Sequence, residues 1–291
     1  MFILGGSASN GLDQSVARLL DARTGRVEVT SFPDGEMKVR VPDESDGNEV
    51  VIVQSTYAPQ ERHLFELILI ADYLKERGRS ITAVVPYLGY ARQDKSFVHG
   101  ESVSVHTVLN MMTRAGISTL VTVNPHKEES LRHFAGKVAV VNAVIPLSRR
   151  VKAELDNQLV LAPDMGGLEL AKRASAEIGC DYAYIEKKRD QNGNVSMISA
   201  HGDNFAGKNV VVFDDIVSTG STIELAAHYA YSQGAKTVSV AAVHLVMAGD
   251  AYERLGRARI DRIFGTNTIP CKEAKVVDVS GEIASVLAML K

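Results

Sequence analysis

Short runs of aliphatic and β-branched residues recur along the chain with longer helix-spaced segments between them, and this alternation narrows the possible folds most. The runs are residues 50–53, 81–85, 120–123, 159–161, 210–213 and 238–243. None alternates with polar residues, so each predicts a strand buried on both faces, as in a parallel sheet covered by helices. Between them, residues 61–77, 102–115, 167–178 and 222–233 carry apolar side chains at helical spacing. Strand followed by helix, repeated, is the pattern of an α/β protein.

The segment 142–156 follows a short strand-like run at 138–141 and leads into a second series of similar length. A boundary near Asn142 to Pro146 therefore divides the chain into domains 1–143 and 144–291. Each is expected to be a mainly parallel sheet flanked by helices, and the two are expected to be similar. Residues 281–291, with Ile283, Val286, Leu287 and Leu290, predict a terminal amphipathic helix whose packing partner cannot be read from sequence.

Composition decides against several function classes. With 291 residues, 45% of them hydrophobic, the chain has enough apolar mass for two cores. Lys+Arg 32 against Asp+Glu 35 gives a formal net charge of -3, so there is no global basic field for nucleic acid or anionic lipid, and phosphate binding must be local. Cys180 and Cys271 sit in neither a CxxC pair nor a zinc-ligand spacing. The opening Met1 to Gly6 lacks a basic segment and a long apolar run, and no run reaches membrane-spanning length. A cytoplasmic protein is the expectation.

In parallel sheets ligands gather where strands end, and one such end carries the sharpest signal. The run 210–213 leads into Asp214 and Asp215, then Ser218, Thr219, Gly220, Ser221 and Thr222 at the opening of a helix. Gly220 lets backbone approach a phosphate, the hydroxyls donate, and the helix N-terminus adds partial positive charge. The adjacent carboxylates suit sugar hydroxyls or a hydrated magnesium ion. An N-cap alone would need one such residue rather than this whole run. The glycine-lysine spacing of residues 202–208 is a decoy, because Asn209 replaces the Ser or Thr of a phosphate-binding P-loop and a strand follows.

The run from Asp214 to Thr222 resembles the signature loop of the type I phosphoribosyltransferase fold, which binds the 5-phosphate of a phosphoribosyl group. Four further segments, residues 32–36, 86–95, 162–167 and 187–189, resemble the ribose-phosphate pyrophosphokinases, and the likeness spans nearly the whole chain. It implies a Mg2+-dependent diphosphokinase that transfers the β,γ-diphosphoryl group of ATP to ribose 5-phosphate, giving PRPP (5-phosphoribosyl 1-diphosphate) and AMP. The PRPP-consuming phosphoribosyltransferases and a catalytically silent regulatory paralogue are the alternatives.

The resemblance also implies roles by position. Asp34, Gly35 and Glu36 form an adenine-contact loop that reaches a neighbouring subunit, hence a homo-oligomer, a dimer or larger. Arg92 and Gln93 hold the nucleotide; read alone, they are a guanidinium fork and an amide just past a strand end, or a solvated loop. Asp164 and His126 contact magnesium. Lys187 and Arg189 close over the transferring phosphates from a hairpin whose Asn192-Gly193 step signals a tight turn, although a solvated basic run would look the same. Asp214, Asp215, Ser218, Thr219, Gly220, Ser221 and Thr222, with Arg189, hold ribose 5-phosphate. Asn124 and Ser218 depart from the pattern, since the family often carries Asp at each.

Overall fold

The computed structural model describes residues 1–42, 48–96, 98–189, 195–202 and 204–290, with backbone alone for 187–189 and 195–202. The chain divides into two units, Met1–Asn142 with Val279–Lys291, and Ala143–Asp278.

The first unit opens with β1 (Phe2–Gly5), α1 (Leu12–Leu19) and β2 (Arg23–Arg26). An antiparallel hairpin of β3 (Glu28–Ser31) and β4 (Met37–Arg40) follows. Then come β5 (Glu49–Val53), α2 (Gln60–Glu76), β6 (Ser80–Val85), α3 (Ser104–Arg114), β7 (Ile117–Val123), a 3-10 turn at Glu128–His133 and β8 (Lys137–Val141). The main sheet has the order β2-β1-β5-β6-β7-β8, with every pairing parallel. The aliphatic runs on β5, β6 and β7 are fully buried, and α2 turns Leu64, Leu67, Ile70 and Leu74 onto the same core.

The second unit begins with α4 (Val144–Glu154), where Pro146 occupies the first turn, a position that needs no N–H. It continues through β9 (Gln158–Ala162), a 3-10 turn at Met165–Gly167, α5 (Leu168–Ile178), β10 (Asp181–Arg189), β11 (Val195–Gly202), β12 (Asn209–Val217) and α6 (Ser221–Ser232). The series closes with β13 (Thr237–Leu245), α7 (Ala251–Arg257), β14 (Ile260–Thr266) and β15 (Lys275–Val277). The sheet order is β11-β10-β9-β12-β13-β14-β15, parallel except for the antiparallel β10 and β11 pair. Without β11 this order is the chain order of the first unit's sheet, so the two units share one topology. Both are α/β, each a mainly parallel sheet flanked by helices.

The last helix, α8 (Ser280–Met289), belongs to the first unit. It buries Ile283, Ala284 and Leu287 and packs on α1 and β8, so residues 279–291 leave the second domain to which a single cut at residue 143 assigns them. The apolar face of α8 is too short to fold alone, and its stability comes from this docking. Among the described residues no helix is long and apolar enough to cross a membrane.

Candidate functional site

In the second unit β12 runs farther than its aliphatic core suggests. Asp214 and Asp215 lie inside the strand, because Asp214 pairs with Ala242 of β13 and the ladder continues through Ile216 and Val217. The loop proper is then Ser218 to Gly220, with Ser221 and Thr222 in the first turn of α6. Val246 and Met247 donate backbone N–H groups to the Val217 carbonyl at 2.9 and 3.1 Å, and Ala248 to that of Ser218 at 3.0 Å, so the chain leaving β13 backs the loop.

Gly220 sits at the N-cap of α6 with φ 76 and ψ -2, in the left-handed region. No side chain caps the helix there, which leaves its N-terminal dipole facing the loop for an anion. Thr219 and Ser221 are exposed beside it, their hydroxyls 3.3 Å apart. A Cβ on Gly220 would lie 3.4 Å from Leu255 Cδ2 of α7, besides requiring a left-handed non-glycine residue. Gly220→Ala is expected to cost about 1 kcal/mol in stability, which denaturant melts would resolve.

Asp164 follows β9, and its Oδ1 accepts N–H hydrogen bonds from Gly166 at 3.0 Å and Gly167 at 3.4 Å. The Asp214 carboxyl accepts the Asp215 backbone N–H at 2.9 Å. Burial first, then the neighbouring charges of Asp215 and Asp164, hold Asp214 well above the usual carboxylate range. Asp164, Asp214 and Asp215 are therefore an electrostatic group. Lys187 and Arg189 lie on β10, whose register against β11 shifts between Glu186 and Lys187; their side chains, like residues 190–194, lie outside the described residues.

In the first unit residues 31–36 are all exposed at the tip of the β3–β4 hairpin. Phe32 N–H donates to the Glu36 carbonyl at 2.8 Å, Gly35 has φ 95, and Asp34 Oδ1 accepts from Glu36 N–H at 3.1 Å. Residues 32–36 thus form the corner of the hairpin. Arg92 is exposed and Gln93 half-buried past β6, with Gln93 Nε2 donating to the Lys95 carbonyl at 3.1 Å. His126 is exposed beyond β7. Asn124 precedes it at φ 35, a conformation that Asn tolerates better than most residues. His126 belongs to the first unit and Asp164 to the second, and among the described residues no group of three or more His, Cys, Asp or Glu side chains gathers as a ready metal site.

Residues that sequence reasoning missed stand at the end of β5. Ser55 and Thr56 are buried and bond to the loop after β6. This turn from β5 to α2 holds the topological place of the turn from β12 to α6 in the second unit, yet it carries no glycine and faces its own chain.

Residues 1–116 match the family described as the N-terminal domain of ribose phosphate pyrophosphokinase, and residues 139–272 the phosphoribosyl transferase domain. A ribose-phosphate pyrophosphokinase of Saccharolobus solfataricus is 44% identical over 288 residues, covering 98% of this chain and 99% of that one. The chain belongs to the ribose-phosphate pyrophosphokinase family. The pyrophosphokinase of Thermococcus kodakarensis is 38% identical, with 95% of this chain and 96% of that one covered. The crystal structure of phosphoribosylpyrophosphate synthetase from Mycobacterium smegmatis superposes with a TM-score of 0.88 at 28% identity, covering 99% of this chain and 98% of that one. The pyrophosphokinase fold thus accounts for both units.

Proposed function

We infer that the protein transfers the β,γ-diphosphoryl group of ATP to the anomeric hydroxyl of ribose 5-phosphate, giving PRPP and AMP. Whole-chain likeness to ribose-phosphate pyrophosphokinases supports the activity. The observation that carries the assignment of the sugar site is the turn from β12 to α6, where two strand carboxylates lead into a glycine-capped, hydroxyl-lined helix start.

Ser218, Thr219, Gly220, Ser221 and Thr222 receive the 5-phosphate, and Asp214 and Asp215 accept hydrogen bonds from ribose hydroxyls. Arg92 and Gln93 hold the nucleotide. The exposed tip at Asp34, Gly35 and Glu36 is open to contact beyond its own hairpin, which supports its assignment to the nucleotide of a second subunit in a homo-oligomer. The anomeric oxygen attacks the β-phosphorus, the bond from that phosphorus to the α,β-bridging oxygen breaks, AMP leaves with that oxygen, and the anomeric proton is released. Lys187 and Arg189 stabilise charge developing on the transferring phosphates. Placement and charge stabilisation are the protein's chief contributions to phosphoryl transfer.

The donor chemistry suits Mg2+. Asp164, Asp214 and Asp215 offer the carboxylate oxygens that a hard cation takes, and a cation relieves the repulsion that raises Asp214. We assign Asp164 to magnesium in the second unit and His126 to magnesium in the first. When bound, Mg2+ neutralises charge on the diphosphoryl oxygens.

Incubation with ATP, ribose 5-phosphate and MgCl2, with single-substrate controls, is expected to yield AMP and PRPP in equal amounts by chromatography. ADP in place of AMP would make the protein a monophosphoryl kinase and overturn the assignment.

A further inference from the structure

The nucleotide segment of the first unit lies on an otherwise irregular stretch between β6 and α3, and side chains from another strand end hold its backbone. Ser55 Oγ accepts the Tyr87 N–H at 3.0 Å. Thr56 donates twice to the Tyr87 carbonyl, from its backbone N–H at 2.9 Å and from its hydroxyl at 2.9 Å. The same Thr56 hydroxyl accepts the Gly89 N–H at 2.7 Å. Ser55 is 0% and Thr56 1% exposed, so these bonds are made away from water.

The fit is close enough to dictate the residue opposite. A Cβ on Gly89 would stand 2.5 Å from the Thr56 carbonyl oxygen, a contact that only glycine avoids. Immediately beyond, Tyr90 takes φ 65, its hydroxyl donates to Glu61 Oε1 at 2.6 Å, and its carbonyl receives the Gln93 N–H at 3.1 Å. Backbone bonds thus run from the buried hydroxyls toward Arg92 and Gln93. A threonine hydroxyl donates and accepts through one atom, and Thr56 uses both capacities on this loop.

We propose that Ser55 and Thr56 are positioning residues that preset the backbone of the nucleotide loop, so that Arg92 and Gln93 meet ATP without reordering. The proposal rests on the assignment of Arg92 and Gln93 to ATP. Thr56 is buried beneath the loop and acts through Tyr87 and Gly89. Loss of its hydroxyl leaves the Gly89 N–H without that acceptor and lets the loop sample other conformations, which lowers the fraction competent to bind.

The test is steady-state kinetics of Thr56→Val, Thr56→Ser, Ser55→Ala and Arg92→Ala, each titrated with ATP at saturating ribose 5-phosphate and the reverse, alongside thermal melts. Thr56→Val is expected to raise KM for ATP about tenfold, the weight of one buried hydrogen bond, with KM for ribose 5-phosphate unchanged. Thr56→Ser, which keeps the hydroxyl, is expected to restore the wild-type value. Equal increases in both KM values, or a lowered melting temperature with neither KM changed, would overturn the proposal. So would failure of Thr56→Ser to rescue. Should Thr56→Val yield no folded protein, Ser55→Ala removes the acceptor of the Tyr87 N–H, and the same selective rise at smaller amplitude is expected; its absence counts against the clamp. Arg92→Ala separates the two layers. If it raises KM for ATP while Thr56→Val does not, the clamp fails alone; if it leaves KM for ATP unchanged, the nucleotide assignment falls and the clamp's role falls with it.

Discussion

Lys187→Ala is expected to lower turnover on the order of 10²–10³-fold, the effect of removing one preorganised charged donor from a transition state. Diphosphoryl transfer spreads charge over the phosphate oxygens, and a fixed ammonium is worth more there than in bulk water because its orientation is already set. On the backbone, Lys187 follows the register shift in the β10 and β11 pair. Because the loss falls on the transition state, kcat and kcat/KM should drop together while KM for ribose 5-phosphate stays near wild type. Single-turnover quench-flow separates chemistry from product release. Nearly full turnover in Lys187→Ala, with chemistry shown to limit the rate, would remove the role.

The buried parallel strands were legible because each needs nothing beyond a run of aliphatic residues, and the runs at β5, β6, β9, β12 and β13 match. The polar strands were not. Arg23–Arg26 pairs with β1 yet is mostly exposed and carries no apolar run, so its conformation comes from the neighbouring strand's free edge. Helices α1 and α4 went unread for a different reason: α1 spans only eight residues and α4 carries Pro146 in its first turn, so neither shows a long uninterrupted helical pattern. The placement of α8 is a tertiary fact, since an apolar stripe names no partner.

At the site, the glycine-hydroxyl turn was legible because its residue types are adjacent in sequence and each has a reason to be there. Thr56 and Tyr87 are 31 residues apart. A serine and a threonine after a strand look like any strand end until the fold shows what they bond. The strand character of Asp214 was likewise hidden, because an Asp-Asp pair reads as a loop until Ala242 and His244 on β13 extend the ladder past it.

Asp214→Asn is expected to separate stability from activity. Burial and the charges of Asp215 and Asp164 raise the Asp214 carboxyl in the folded protein above its ordinary value of 3.8. As pH rises past that value the unfolded chain gives up this proton first, so the unfolded state gains relative to the folded one until the folded carboxyl also ionises. The resulting destabilisation is complete above the folded-state pKa and absent below the unfolded one. Asparagine carries no charge, and its Oδ1 keeps the Asp215 N–H acceptor. The ligand-free variant should therefore melt at higher temperature than wild type at neutral pH, the difference closing as the pH falls toward 3.8. On the proposed assignment of Asp214 to a ribose hydroxyl, turnover should nevertheless fall. Added MgCl2 should stabilise the wild type more than the variant, since only the former holds the repulsion that a cation relieves. A variant that melts lower than wild type at neutral pH, or a difference independent of pH, would show that Asp214 is not held against its charge.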